Sequence, residues 1–249
     1  MFQLTGRVAL VTGAASGIGR ATAMRLGHEG ALLFLADLDE AGLRETVAGL
    51  GDDVESKTFV LDVADPAACQ RAVTTCVETF GKLDILANIA GIALCDHMTA
   101  IKDEQWERML GTNLSGVFYM CRAAMPHLVE TQGCVVNMAS SAGLEGQAYN
   151  SAYCATKAGV LMFSKSLAVE FSKQRVRVNA VCPGHVNTPL VEKFNFPEGG
   201  DMALLGRLVP LLDAAEPDEI AAAVTYLCSD DARFITGIGL PIDGGQTAG

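Results

Sequence analysis

The chain has 249 residues, half of them hydrophobic, few of them aromatic, and a formal net charge of −11. That acidic balance argues against a nucleic-acid partner, because phosphate recognition needs basic patches, and the scattered Lys and Arg form no polybasic run for an anionic membrane. No apolar run approaches the ~18 residues that span a bilayer, and Met1 leads without a secretory pattern into a strand-like segment, so a cytoplasmic location is expected.

Arg7–Thr12 is a short apolar run and predicts a buried strand. It opens into Gly13-Ala14-Ala15-Ser16-Gly17-Ile18-Gly19, followed by a helical pattern through Ala21, Met24 and Leu26. Glycines between a strand and a helix permit a tight turn and a close backbone approach. The helix N-terminus adds free N–H donors and the positive end of a dipole, the arrangement that binds a pyrophosphate.

A second strand, Ala31–Ala36, ends at Asp37. An acid roughly 20 residues past the glycine turn can accept hydrogen bonds from adenosine ribose hydroxyls and would repel a 2′-phosphate. Ser16 and Leu38 are not basic, and Arg20 is the one cation nearby in sequence, so the electrostatics favour NAD over NADP. The alternative is that Asp37 only starts the next turn and caps the following helix.

Lys57–Leu61 predicts the third strand, with Asp62 and Val63 at its end. Asp65 with Pro66 predicts a capped helix to Phe80. The fourth strand, Leu83–Ala87, runs into Asn88-Ile89-Ala90-Gly91, where small residues allow backbone close to a ligand. Trp106–Val129 reads as one long helix, with Asn113 an unusual interior residue because its amide competes with backbone hydrogen bonds. Cys134–Ala139 is the fifth strand and ends at Ser140-Ser141. A helix from Ser151 to about Phe171 and a sixth strand, Val176–Val181, follow.

From 187 to 217 the pattern weakens and predicts a small, mobile, partly helical lid. Its apolar underside would include Phe194, Phe196, Met202, Leu204, Leu205, Leu208 and Leu211. A helix over Asp218–Ser229 and a last strand and turn around Gly237–Gly245 complete the chain. Strands and helices alternate throughout. The expected fold is therefore α/β: one doubly wound Rossmann domain over 1–249, its sheet mostly parallel, with helices on both faces. Eight dispersed cysteines without a CxxC pair, and four histidines without ligand spacing, predict reduced thiols and no metal site.

Tyr153 and Lys157 are the candidate chemistry. A spacing of i, i+4 puts both on one helix face, and an ammonium close to a phenol lowers the pKa of the phenol. A tyrosine tuned in this way exchanges a proton with an alcohol or a carbonyl.

Together the glycine turn, Asn88-Ile89-Ala90-Gly91, Asn113, Ser140, Tyr153 to Lys157, Pro183-Gly184 with Thr188, and Ile242-Asp243-Gly244-Gly245 resemble the short-chain dehydrogenase/reductase family, in its single-domain branch. The resemblance implies an oxidoreductase interconverting a secondary alcohol and a ketone, with NAD as cofactor and Tyr153 as acid/base. Lys157 would bind the nicotinamide ribose and depress the Tyr153 pKa. Ser140, rather than Ser141 one position off, would bond the substrate oxygen, and Asn113 would hold a water in a proton relay. Asp62 and Val63 would line the adenine site, and Asn88 would support the sheet and cofactor. Pro183, Gly184, Val186 and Thr188 would form the nicotinamide end.

Two departures stand out: Ile89 replaces a second Asn, and residues 210–217 lack a Gly-Arg pair common in relatives. The resemblance also implies a homotetramer. The variable stretches 92–98 and 143–150 and the lid are apolar in bias, so the expected substrate is a medium-sized apolar or alicyclic hydroxyl/keto compound. The alternatives are a 3-oxoacyl thioester reductase and a non-enzymatic dinucleotide sensor or scaffold. A sugar-nucleotide epimerase or dehydratase would have a longer C-terminal substrate domain and a different glycine spacing.

Overall fold

In the computed structural model, which describes residues 4–192, 196–205 and 209–248, the short apolar runs become strands. In chain order come β1 (Val8–Thr12), α1 (Gly17–His28), β2 (Leu32–Asp37), α2 (Glu40–Gly49), β3 (Ser56–Val60), α3 (Pro66–Phe80) and β4 (Ile85–Asn88). Then follow α4 (Asp103–Leu110), α5 (Gly116–Thr131), β5 (Cys134–Met138), α6 (Ser151–Glu170), β6 (Arg177–Pro183), α7 (Pro189–Glu192), α8 (Met202–Leu205), α9 (Pro217–Cys228) and β7 (Gly239–Ile242).

The strands form one sheet in the order β3-β2-β1-β4-β5-β6-β7, and every pairing is parallel. The direction of winding reverses between β1 and β4. Such a reversal leaves a crevice at the carboxyl ends of the strands.

Burial on both faces follows from the strand alternation. Val8 and Leu10 of β1 join a core with α3, α5 and α6, while Ala9 and Val11 join a second core with α1 and α9. Around the central strands β1, β4 and β5 neither face meets water, which is why they read as continuous apolar runs, whereas the edge strands β3 and β7 are only partly buried. As expected, Asp65 caps α3 by accepting the Ala67 N–H, and Pro66 stands in the first turn, where its missing donor costs nothing.

Element ends shift from the sequence expectation by one or two residues; β2, for example, takes in Asp37. One difference is larger. The single helix expected over Trp106–Val129 is α4 and α5 joined through a wider π turn, Gly111–Ser115, with Asn113 at its middle. The apolar positions continue across it, so periodicity alone conceals the extra residue in that turn.

Candidate active site

The loops at the carboxyl ends of β1, β4, β5 and β6 surround a cleft of about 360 Å³. Every sequence-predicted site residue lines it except Asn88 and Asn113. Gly13 has φ +71°, and a Cβ there would sit 2.7 Å from the Ala90 amide nitrogen; a Cβ on Gly19 would collide with the Gly13 carbonyl. α1 starts after Ser16 without a side-chain cap, and Ser16, Gly17 and Ile18 face the cleft. A narrow backbone cradle under uncapped helix donors suits an anionic diphosphate, so the turn fits a dinucleotide.

Asp37 lies at the far end of this cradle. One carboxylate oxygen accepts the Ala15 N–H and the other the Asp39 N–H, each at 3.0 Å. Asp39, rather than Asp37, caps α2 by accepting from Ala41 and Gly42. Asp37 is thus fixed at the cleft wall beside Leu38, with Asp62 and Val63 on the neighbouring strand end.

The expected cofactor contact of Asn88 is not supported by its placement. Its amide points into the core, donating to Asn137 Oδ1 at 2.8 Å, and Asn137 in turn donates to Ser164 Oγ at 2.9 Å. Asn88 therefore ties β4 to β5, while Ala90 and Gly91 after it line the cleft. Ile89 lines the cleft as well, in the place of the second Asn.

Asn113 also works at one remove. Its Oδ1 accepts the Ile92 N–H and its Nδ2 donates to the Ile92 carbonyl, both at 2.8 Å. Nδ2 also donates to Met109 Sδ at 2.9 Å and to Thr156 Oγ1 at 3.3 Å, so the side chain ties the 90–92 segment to α4 and α6.

Ser140 stands in extended backbone after β5 and lines the cleft. Ser141 turns away and accepts from Gln147 Nε2 at 3.2 Å, which separates the two candidate serines. Tyr153 and Lys157 share one face of α6. Lys157 is 4% exposed; its Nζ donates to the Met138 carbonyl at 2.8 Å and lies 5.5 Å from the Tyr153 ring centroid. Burial lowers the Lys157 pKa to about 8. Burial likewise raises the Tyr153 phenol above its ordinary value, and a hydrogen bond with Ser140 opposes that rise. The depressed tyrosine expected from the sequence is therefore not found. Desolvation outweighs the hydrogen bond with Ser140, and the Lys157 ammonium is directed at the Met138 carbonyl.

Pro183, Gly184, Val186 and Thr188 close the opposite wall. A Cβ on Gly184 would lie 2.8 Å from Asp243 Cα, and Asp243 accepts hydrogen bonds from Gly245 and Thr247. The Asp-Gly-Gly turn thus backs the Gly184 wall.

The lid differs from its expected form. Met202, Leu204 and Leu211 are exposed rather than forming an apolar underside, while Phe194, Leu208 and the Leu205 side chain lie outside the described residues. Instead an aromatic latch holds the segment. The Tyr149 ring meets His97 and Phe196 edge-on at 5.1 and 5.5 Å, and its hydroxyl accepts the Asp201 N–H at 2.7 Å. Ile92, Tyr149, Leu190 and Val191 fall within the variable stretches expected near the substrate without being singled out, and sequence reasoning missed Thr112 and Met138 among the lining residues. Met138, two positions before Ser140 on the strand, was the more accessible of these; the latch role of Tyr149 had no local signal.

The fold and this cleft define a nicotinamide-dinucleotide-dependent oxidoreductase of Rossmann type. A family model, adh_short_C2, described as enoyl-(acyl carrier protein) reductase, matches residues 13–247. The chain belongs to the short-chain dehydrogenase/reductase family. It is 43% identical to a D-threitol dehydrogenase of Mycolicibacterium smegmatis, over 99% of this chain and 95% of that one. It is 35% identical to a meso-2,3-butanediol dehydrogenase of Serratia marcescens, over 99% and 96%. A 3-ketoacyl-(acyl-carrier-protein) reductase from Brucella melitensis, solved in complex with NADH, superposes with a TM-score of 0.89 at 33% identity, covering 98% of this chain and 99% of that one.

Proposed function

We propose that the chain is a single catalytic domain that interconverts a secondary alcohol and a ketone, with NAD preferred over NADP. The observation that carries the reading is the meeting of Ser140, Tyr153 and Lys157 in the cleft that the glycine turn also lines. Bound there, the nicotinamide would take up or give back the hydride.

Tyr153 exchanges the proton with the substrate oxygen, and Ser140 holds that oxygen by a hydrogen bond. Lys157, with a pKa of about 8, passes a proton onward near neutral pH. Asn113 acts as a positioning residue through Ile92 and Gly91. The NAD preference rests on Asp37, whose carboxylate stands where a 2′-phosphate would meet a negative charge. The cofactor contacts extend from Gly13 and Ser16 to Gly19, through Asp62, Val63, Ala90 and Gly91, to Pro183, Gly184, Val186 and Thr188.

The substrate is a medium-sized apolar or alicyclic hydroxyl or keto compound, supported by Ile89, Ile92, Met138, Leu190 and Val191 around the site. The two dehydrogenase relatives are named for a polyol and a diol, so polyols and diols belong in the first panel. A 3-oxoacyl thioester reductase is the second reading, favoured by the Brucella neighbour. That neighbour is complexed with NADH, so cofactor preference does not separate the two readings, and the substrate does.

Among the described residues no helix is long and apolar enough to cross a membrane, and we place the enzyme in the cytoplasm. A homotetramer is part of the proposal, supported by an apolar groove between α5 and α6, lined by Phe118, Met125, Val129, Phe163, Leu167 and Phe171, as a face for a second copy of the chain.

The test is dinucleotide reduction over a panel of secondary alcohols and diols, beside reduction of a 3-oxoacyl thioester. With the best substrate, Tyr153→Phe is expected to lower kcat/KM by ~10²–10⁴-fold while NAD still binds. Near-wild-type turnover by that variant would sink the assignment.

A further inference from the structure

Arg20 stands on the first turn of α1 and shares a bonding partner with Asp37. Ala15 links the two: its N–H donates to the Asp37 carboxylate, and its carbonyl accepts from Arg20 Nη2. Yet Arg20 does not line the cleft. Its guanidinium is turned onto α2, where Nε donates to Thr46 Oγ1 at 3.1 Å and Nη2 to the Gly42 carbonyl at 3.3 Å. Nη2 also pairs with Glu45 at 2.8 Å. Thr46 is fully buried and donates to the Ala14 carbonyl at 2.8 Å, so this cluster fastens the glycine turn to α2.

A guanidinium is the side chain best shaped to grip a phosphate. Here one sits beside the expected ribose end and is kept from it. The backbone carbonyls and Thr46 offer neutral acceptors, whereas Glu45 supplies the single opposite charge in the cluster.

We propose that Glu45 is a specificity-determining residue for the dinucleotide, because it sequesters Arg20 on α2 and withholds it from a 2′-phosphate. This rests on the NAD preference argued above and adds a second device to it. Asp37 repels the extra phosphate, and Glu45 disarms the cation that would otherwise attract it. Neither device alone exposes the other: with Asp37 in place a freed Arg20 meets repulsion at the ribose, and with Glu45 in place loss of Asp37 leaves a pocket with no cation turned toward the phosphate. The two effects therefore couple. An exposed ion pair of this kind shifts an equilibrium by at most about fivefold, which sets the size of the coupling.

Binding without turnover tests it. Affinities for adenosine 2′,5′-bisphosphate and 5′-AMP are measured calorimetrically on wild type, Asp37→Ser, Glu45→Gln, the double variant, and the double variant with Arg20→Met. Glu45 is 69% exposed in its side chain, so replacing it leaves the core intact. The expected result is that Asp37→Ser improves relative affinity for the bisphosphate and Glu45→Gln alone changes it little. The double variant should exceed the product of the single effects by about fivefold, and Arg20→Met should remove that excess while 5′-AMP affinity holds within about twofold.

Multiplicative single effects would overturn the proposal. So would an excess that survives Arg20→Met, since it would then come from the charge of Glu45 itself. Equal loss of both ligands on Arg20→Met would reduce Arg20 to a structural part. A wild type that prefers the bisphosphate would instead refute the NAD preference, an outcome distinct from these.

Discussion

Lys157 is the residue at which burial and chemistry conflict most directly. Its ammonium is almost wholly enclosed, and its folded pKa of about 8 lies below the unfolded value near 10.5. Below about 8 both states hold the proton, and the cost of the buried charge is fully present. Between the two values the unfolded chain binds a proton that the folded chain has released, so this group makes stability rise with pH. Against Lys157→Met, the wild type should gain up to roughly 3 kcal/mol from pH 7.5 to 10.5. Thermal unfolding of both across that range checks it, and parallel curves would refute it. The direction for Tyr153 is opposite in kind. Its raised phenol favours the protonated form, so alcohol oxidation, which needs the phenolate, is expected to speed up as pH climbs, and ketone reduction to slow. A pH profile of kcat/KM in both directions reads this. These residues were legible in the sequence because their spacing is local. Their pKa directions were not, since desolvation depends on what three other strands and helices place around them.

Among the elements, the π turn between α4 and α5 is the least ordinary. Asn113→Leu preserves bulk but leaves the Ile92 N–H and carbonyl without their partners. Each unpaired, partly buried group costs ~1–3 kcal/mol, so a marked fall in melting temperature is expected, with faster amide exchange at Ile92. Unchanged exchange there would show that the amide does not hold the segment. The sequence flagged Asn113 as odd for a helix interior, yet gave no sign of the wide turn, because the apolar repeat runs on through it. The Tyr149 latch was less legible still. It joins residues some fifty positions apart, and the φ of +63° at Tyr149 is set by tertiary contacts rather than by residue type. By contrast, the strand sequence and the glycine turn were readable because each depends on a few adjacent residues.

Over the whole molecule, the groove between α5 and α6 is an apolar surface that the described residues leave uncovered. Arg122 lies over the rings of Phe118 and Tyr119 at 5.1 and 5.5 Å, giving the groove a polar margin. Val169 and Met162 on α6 are 77% and 63% exposed. If a second copy seats here, Phe118→Glu with Val169→Glu should shift sedimentation from tetramer to smaller species while the circular dichroism spectrum holds. An unchanged sedimentation coefficient would place the contact elsewhere. The apolar residues of this face lie on two helices about forty residues apart in sequence, and only the fold shows that they lie side by side.

The packing of α9 against α1, described above as one of the two cores, also imposes a schedule. The first helix leaves the ribosome about 190 residues ahead of its covering partner. At ~5–20 residues per second that is an interval on the order of ten to forty seconds. During it Ala23 and Leu26 have no α9 side chains to pack on. The nascent chain is therefore most exposed to misassociation late in synthesis, after its cofactor cradle has been made but before the helix that seals it has emerged.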